Sequence, residues 1–117
     1  MAEVKKFCVI GLPAKHSLSP KIHKSFASQQ GVNIQYKIIE PDSEEHFETH
    51  AQSFFSKNGY GANVTIPFKE QAYNFADEID TSARECGSAN TLFFHDKKIT
   101  AYNTDGKGFL KDLQNKN

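Results

Sequence analysis

Tryptophan is absent from the chain and cysteine is scarce, with Cys8 and Cys86 the two thiols among 117 residues. One cysteine lies in an apolar run and the other in a turn-like stretch, which indicates neither a disulfide framework nor a zinc knuckle. His46 and His50 have a helical spacing that can hold zinc, but no third ligand is evident and acidic residues surround them. We therefore expect reduced thiols, a cytoplasmic location and no metal.

Net charge is lacking as well, because 14 basic residues balance 14 acidic ones. No cluster of lysine and arginine is long enough to follow a phosphate backbone, which argues against nucleic acid as a partner. No window approaches the about 20 apolar residues of a membrane span, and the chain start lacks a secretory apolar run. We expect a soluble protein without a membrane partner, folded as one domain over residues 1–117.

Strands and helices are predicted in alternation along the first half of the chain. Phe7 to Ile10 is a continuous apolar run, typical of a strand that is covered on both faces. Ser19 and Pro20 supply an N-cap and a first-turn proline for a helix that extends to Gln30. Ile34 to Glu40 follows as a second strand.

The next helix carries a single apolar stripe. Asp42 and Glu45 offer caps for it. Its apolar residues fall at positions i, i+4, i+7 and i+8, namely Phe47, Ala51, Phe54 and Phe55. Two glycines then predict a turn into a short strand from Ala62 to Ile66.

The remaining elements complete an α/β pattern. A brief helix is expected around Glu70 to Phe75, and the acidic run of Asp77, Glu78 and Asp80 indicates a solvated turn. Leu92 to Phe94 and Ile99 to Tyr102 predict a hairpin, and a last helix carries Phe109, Leu110 and Leu113. This order predicts a single three-layer domain with a mostly parallel sheet and helices on both faces, with an antiparallel edge allowed.

Polar residues follow the predicted strands, where open α/β sheets bind their ligands. After the first strand, Ser19 is explained by helix capping alone. Ser17 has no such duty, and two hydroxyls beside a helix start can cradle a carboxylate or a phosphate. An ordinary serine-rich turn is the alternative.

The segment from Asn63 to Lys69 is more specific. The strand period of two places Asn63 and Thr65 on one face, so their polar side chains point the same way. Lys69 begins the next helix, where the positive end of the macrodipole makes a lysine unfavourable for stability. From position alone, however, Lys69 is better explained as a solvated surface residue.

Two further polar segments flank the hairpin. Asn103-Thr104-Asp105-Gly106 follows the last strand, where Thr104 or Asp105 could simply cap the final helix. Asn90 and Thr91 precede a strand, and an ordinary turn would explain them too.

Taken together, four segments resemble the substrate-binding domain of shikimate dehydrogenases in order and spacing. They are Lys15-His16-Ser17-Leu18-Ser19-Pro20, Asn63-Val64-Thr65-Ile66-Pro67-Phe68-Lys69, Gly87-Ser88-Ala89-Asn90-Thr91 and Asn103-Thr104-Asp105-Gly106-Lys107-Gly108. The departures are small: Ser88-Ala89 stands where the family usually has Ala-Val, and Lys24 stands where asparagine is usual.

The resemblance implies an enzyme that reduces 3-dehydroshikimate to shikimate with NADPH in the pathway to aromatic amino acids. By position, Ser17 and Ser19 would hold the substrate carboxylate. The ring hydroxyls would be bound or supported by Asn63, Thr65, Asn90 and Asp105. Lys69 would contact the substrate and form the catalytic pair with Asp105.

The cofactor half of such an enzyme is not recognisable in this sequence. Gly106-Lys107-Gly108 begins like a dinucleotide fingerprint, but Lys111 stands in place of the third glycine. We therefore expect NADP to be bound by a domain that this chain does not contain, and the isolated domain to lack turnover. The resemblance also implies that the family's last helices return to pack on the substrate domain, so their absence should bare apolar surface and favour a homodimer.

Other functions fit parts of the pattern. The same motifs can serve a quinate enzyme or a dual quinate and shikimate enzyme. A shikimate- or quinate-binding regulatory module that has lost catalysis is the alternative from another class. A purely structural α/β domain is the third possibility.

Overall fold

One six-stranded mixed sheet organises residues 4–104, the part of the chain that this computed structural model describes. Its strands run in the order β2-β1-β3-β5-β6-β4. They are β1 (Lys5–Ile10), β2 (Ile34–Ile39), β3 (Gly59–Val64), β4 (Glu78–Ile79), β5 (Thr91–His95) and β6 (Lys98–Tyr102). The helices are α1 (Ser19–Gln29), α2 (Phe47–Ser56), α3 (Lys69–Phe75) and α4 (Thr81–Cys86), and a 3-10 helix covers Glu44–His46.

The sheet is mixed, which confirms the predicted mostly parallel sheet only in part. β1 pairs in parallel with β2 and with β3, as expected for strands joined through helices. β5 is antiparallel to both β3 and β6, and β4 pairs in parallel with β6. The hairpin prediction is confirmed, because Asp96 and Lys97 have φ values of 51° and 65°, which a tight two-residue hairpin turn requires. Two of the five strand pairings are therefore antiparallel, and β5 runs against the other five strands of the described sheet.

Helices α1 and α2 cover opposite faces of the parallel strands. The main core unites Cys8 and Ile10 with the stripe of α2, whose four predicted apolar residues are all buried. On the other face of the sheet, Tyr36 of β2 lies beside Phe7 of β1. Its ring stacks on His23 of α1, with ring centroids 4.8 Å apart. Because successive strand residues point to opposite faces, the expected layering holds for these two helices.

Several predicted boundaries were wrong at the glycines. β3 begins at Gly59 instead of Ala62 and ends at Val64 instead of Ile66. A Cβ at Gly59 would lie 2.5 Å from the Phe54 ring, so the absent side chain lets the strand pass close under α2. The glycines that indicated a turn are therefore strand residues.

The predicted helix caps were also wrong. Leu18, not Ser19, occupies the N-cap position of α1, and Ser19 is the first helical residue. Asp42 and Glu45 cap nothing, because a 3-10 turn with no side-chain cap leads into α2.

The acidic run is structured rather than a solvated turn. Asp77 accepts a hydrogen bond from the Ile99 N–H at 2.9 Å, and Glu78 lies in β4. Asp80 caps α4 by accepting from the Ser82 N–H at 3.0 Å. This segment adds one strand and one helix that the pattern did not predict.

Three of the sequence predictions concern residues outside the described range. They are the last helix with Phe109, Leu110 and Leu113, the glycines at 106 and 108, and the catalytic role of Asp105. Among residues 4–104, no helix is long and apolar enough to cross a membrane. The same residues contain no group of three or more His, Cys, Asp or Glu side chains that could hold a metal ion.

The two thiols should differ sharply in reactivity. Cys8 is fully buried, and burial raises the pKa of its thiol to about 12, whereas Cys86 is exposed. Because the thiolate is the nucleophile, Ellman's reagent at about pH 8 should promptly titrate one thiol of the native chain and the second only after unfolding. Cys86→Ser should abolish the fast phase. Equal rates for both thiols in the native chain would contradict a buried Cys8.

Candidate functional site

A cavity of about 490 Å³ opens at the carboxyl ends of β1 and β3. Its size is in the range of small-molecule sites, and its position is the one at which α/β sheets bind ligands. Val9 and Val64 contribute apolar surface to it. The residues predicted for the site that line it are Ser17, Ser19, Asn63, Thr65, Lys69 and Asn90. Asp105, the remaining predicted site residue, lies just outside the described range.

The serine wall of the cavity is held in shape by Glu40. One oxygen of its carboxylate accepts the backbone N–H groups of Ala14 at 2.7 Å and Lys15 at 3.2 Å. The other lies 3.5 Å from the Lys15 ammonium. These contacts lower the pKa of Glu40, chiefly through the hydrogen bond from Ala14. Glu40, which directly follows β2, thus holds the loop that carries Ser17 in place.

Ser17 has a structural duty that the sequence did not reveal. Its hydroxyl oxygen accepts the backbone N–H of Ser19 at 3.1 Å, which satisfies one of the unpaired donors at the start of α1. A hydroxyl that accepts this bond keeps its own hydrogen for another partner. Ser17 can therefore support the helix and still donate into the cavity.

The facing wall is a turn that returns from β3 into α3. The Phe68 N–H donates to the backbone carbonyl of Thr65 at 3.0 Å. The Phe68 ring is fully buried and stacks on Phe47, with ring centroids 5.2 Å apart. This anchored ring sets the direction of the next residue, Lys69, which begins α3. Lys69 is further fixed because its carbonyl accepts the N–H of Ala89 at 2.9 Å.

The third wall is an asparagine network around Asn90. Its side-chain oxygen accepts from the Thr91 hydroxyl at 2.9 Å and from the Thr104 N–H at 3.0 Å. Its side-chain nitrogen donates to the Thr104 hydroxyl at 2.8 Å. Thr104, the last described residue, is therefore tied to the cavity lining.

Asn103 has a different role from the segment in which it was noticed. It is 3% exposed, and its side-chain nitrogen donates to the carbonyl and the hydroxyl of Ser88 at 3.0 and 3.2 Å. It secures the loop before Asn90 rather than lining the cavity. Its polar side chain is thus a structural brace.

Sequence reasoning missed Tyr36. This β2 side chain is 4% exposed, and its hydroxyl donates to the Asn63 side-chain oxygen at 2.5 Å. Its neighbour His23, whose ring lines the cavity, donates from Nδ1 to the Ser19 carbonyl at 2.8 Å. A buried tyrosine usually needs a hydrogen-bond partner, which was the available signal that it reaches a polar site.

The described lining of the cavity is rich in donors and contains no carboxylate. It presents serine and threonine hydroxyls, two side-chain amides and the ammonium of Lys69. Such groups favour an anion that carries several oxygen atoms. Fold and site together define an α/β domain with a donor-lined cavity that suits small, acidic, oxygen-rich molecules.

The chain belongs to the family of shikimate dehydrogenase substrate-binding domains, whose sequence model matches residues 9–92. It is 41% identical over 114 residues to the shikimate dehydrogenase (NADP(+)) of Alcanivorax borkumensis. That alignment covers 97% of this chain but 41% of the relative. The chain therefore spans about two fifths of the length of the curated relatives that it matches.

Solved structures agree with this assignment. The shikimate dehydrogenase of Aquifex aeolicus superposes with a TM-score of 0.84 at 36% identity, covering 98% of this chain and 43% of that one. The enzyme from Thermus thermophilus, solved in complex with NADP(H) and shikimate, gives a TM-score of 0.81 at 28% identity. That superposition covers 96% of this chain and 42% of the Thermus thermophilus chain.

Gly11 should tolerate no side chain, because the site is built against it. An added Cβ would lie 2.3 Å from the Thr65 methyl group, a stiff β-branched side chain. Gly11→Ala should therefore lower the free energy of unfolding by about 1–3 kcal/mol, the usual range for overpacking. Chemical denaturation measures this change.

Thr65→Ser provides the matched rescue, since it deletes the methyl group and keeps the hydroxyl. The double variant should recover most of the stability that Gly11→Ala loses, relative to Thr65→Ser alone. Simple additivity of the two substitutions would show that the contact does not limit this position.

Glu40→Gln should destabilise the chain in a pH-dependent way. The folded-state pKa of Glu40 lies below its usual 4.5, so its stabilising effect is complete above that value and disappears as pH falls through the lowered pKa. The stability gap between the parent chain and the variant should therefore be widest near neutrality and close in acid. Thermal unfolding across pH measures it, with exposed Glu85→Gln as the control. A gap that stays constant down to about pH 3 would refute this account of Glu40.

Proposed function

We propose that this chain is the substrate-binding part of an NADP-dependent shikimate dehydrogenase and that its cavity binds shikimate and 3-dehydroshikimate. The observation that carries the proposal is the convergence of six polar residues on one cavity in a member of this family. The relative from Thermus thermophilus, which was solved with shikimate and NADP(H), supports it.

The serine wall suits the substrate carboxylate. Ser17 and Ser19 both line the cavity beside the N-terminus of α1, a helix of 11 residues. The positive end of the helix macrodipole also favours an anion at this position. Both hydroxyls can donate to a carboxylate placed there.

The opposite walls suit the ring oxygens. Thr65 contributes a hydroxyl, and Asn63 and Asn90 contribute side-chain amides. Asn90 commits one N–H to Thr104 and retains a second. A polyhydroxylated ring can satisfy these donors at several positions at once, which an unsubstituted ring cannot.

Lys69 is the proposed proton donor. Reduction of a ketone builds negative charge on its oxygen, which a positioned ammonium stabilises and then protonates. This role explains a lysine at a helix start, where it works against the macrodipole. Asp105 is proposed as its partner and as a ligand of a substrate hydroxyl, on the resemblance alone.

The described residues do not fit NADP. The turns that leave β1 and β3 contain Pro13 and Pro67 and no glycine-rich fingerprint leading into a helix. None of the residues from 4 to 104 is therefore assigned to the cofactor.

Three narrower points stay proposals. A cytoplasmic location is supported by two free cysteines in the described chain, which suit a reducing compartment. A homodimer is supported only by exposed apolar side chains on α1, and sedimentation would test it. A preference for shikimate over quinate is supported by the similarity of the chain to shikimate dehydrogenases.

Lys69→Met should weaken shikimate binding by about tenfold or more, because a hydrogen bond from a charged group contributes about 1.5–3 kcal/mol. Isothermal titration calorimetry of the 117-residue chain measures the affinity. Lys57→Met is the matched control, since Lys57 is an exposed lysine at the far end of α2. It should leave the affinity unchanged.

Ligand analogues sharpen the same measurement. Cyclohexene carboxylate keeps the acid and lacks the ring hydroxyls, so it should bind much more weakly than shikimate. Equal affinity for the two acids, or no binding of shikimate by the parent chain, would overturn the proposed function. An unchanged affinity in Lys69→Met would remove Lys69 from the site.

A further inference from the structure

Tyr36 sits behind the cavity wall and is held firmly in place. Its ring is stacked between the His23 ring, 4.8 Å away, and the Phe7 ring, 6.4 Å away. Its hydroxyl reaches from β2 across β1 to Asn63 of β3, with 2.5 Å between the two oxygens. Asn63 lines the cavity and Tyr36 does not, so the phenol contacts the amide from outside the cavity lining.

The phenol is a permanent donor at neutral pH. Burial raises the pKa of Tyr36 above its usual range, so the phenol keeps its hydrogen at neutral pH. The phenol donates this hydrogen to the side-chain oxygen of Asn63.

This hydrogen bond settles which end of the Asn63 amide faces the cavity. An amide side chain has one oxygen that accepts and one nitrogen that donates two hydrogens. Because Tyr36 occupies the oxygen, the nitrogen is left to the cavity. Asn90 shows the same arrangement, since its oxygen already accepts from Thr91 and Thr104.

We propose that Tyr36 is a positioning residue for ligand recognition, which fixes Asn63 with its NH2 group towards the ligand so that this amide meets ligand oxygens as a donor. The assignment rests on the proposed function and deepens it. It makes both amides of the site donors, so they select oxygens that can accept. Ligand hydroxyls must then pass their own hydrogens to other groups.

Tyr36→Phe tests the assignment because it removes the hydroxyl and keeps the ring that packs on His23 and Phe7. Shikimate affinity should fall about three- to tenfold, the range expected for one neutral hydrogen bond. Tyr60→Phe is the matched control, since Tyr60 is a partly exposed β3 tyrosine outside the cavity lining. Calorimetry of the full 117-residue chain measures all of them.

A double-mutant cycle separates positioning from general structural support. In an Asn63→Ala background there is no amide to orient, so Tyr36→Phe should cause no further loss of affinity. Thermal unfolding of each variant checks that the fold is retained. Additive losses from the two substitutions would overturn the assignment.

A measurement on the parent chain holds even if a variant fails to fold. The two side-chain amide protons of Asn63 should shift in NMR spectra when shikimate binds, because they face the ligand. If shikimate binds but these protons do not shift, the assignment of Tyr36 is overturned and the proposed function is not. The same holds if Tyr36→Phe binds shikimate with full affinity. Absence of shikimate binding by the parent chain overturns the proposed function together with it.

Discussion

Two backbone hydrogen bonds beyond the ends of β1 and β3 hold the walls of the cavity together. The Thr65 N–H donates to the Ile10 carbonyl at 3.0 Å, and the Leu12 N–H donates to the Ile66 carbonyl at 3.1 Å. Between them Gly11 lies so close to Thr65 that no side chain fits. The loop that carries Ser17, here called the serine loop, follows Leu12, and Lys69 follows Ile66. This pairing therefore brings the two polar groups face to face.

Positioning of the polar side chains depends on a second layer of contacts. Glu40 ties down the serine loop, Phe68 anchors the turn into α3, and Asn103 braces the loop before Asn90. In the described chain, no buried side-chain nitrogen or oxygen lacks a hydrogen-bond partner. Contacts of this kind hold the polar side chains of the site in place before a ligand binds.

Much of the fold followed from the sequence, because its signals were local. The stripe of α2, the first two strands and the hairpin rest on periodicity and turn chemistry that neighbours do not override. The errors arose where tertiary contacts decide. Gly59 is a strand residue because α2 crosses over it, and the acidic run forms caps and ladder bonds with distant partners. The six predicted residues that line the cavity were recognisable because they lie at or near strand ends. Tyr36 was missed because its hydroxyl reaches Asn63 from the middle of a strand.

The central claim is that the cavity between the serine loop and α3 binds shikimate. Chemical-shift mapping of the backbone amides during a shikimate titration tests it most directly. The account predicts shifts that cluster around Ser17, Thr65 and Lys69, and not around Lys6, Lys37 and Lys57, which line a separate groove against α2. Shifts confined to that groove, or no shifts at saturating shikimate, would contradict it.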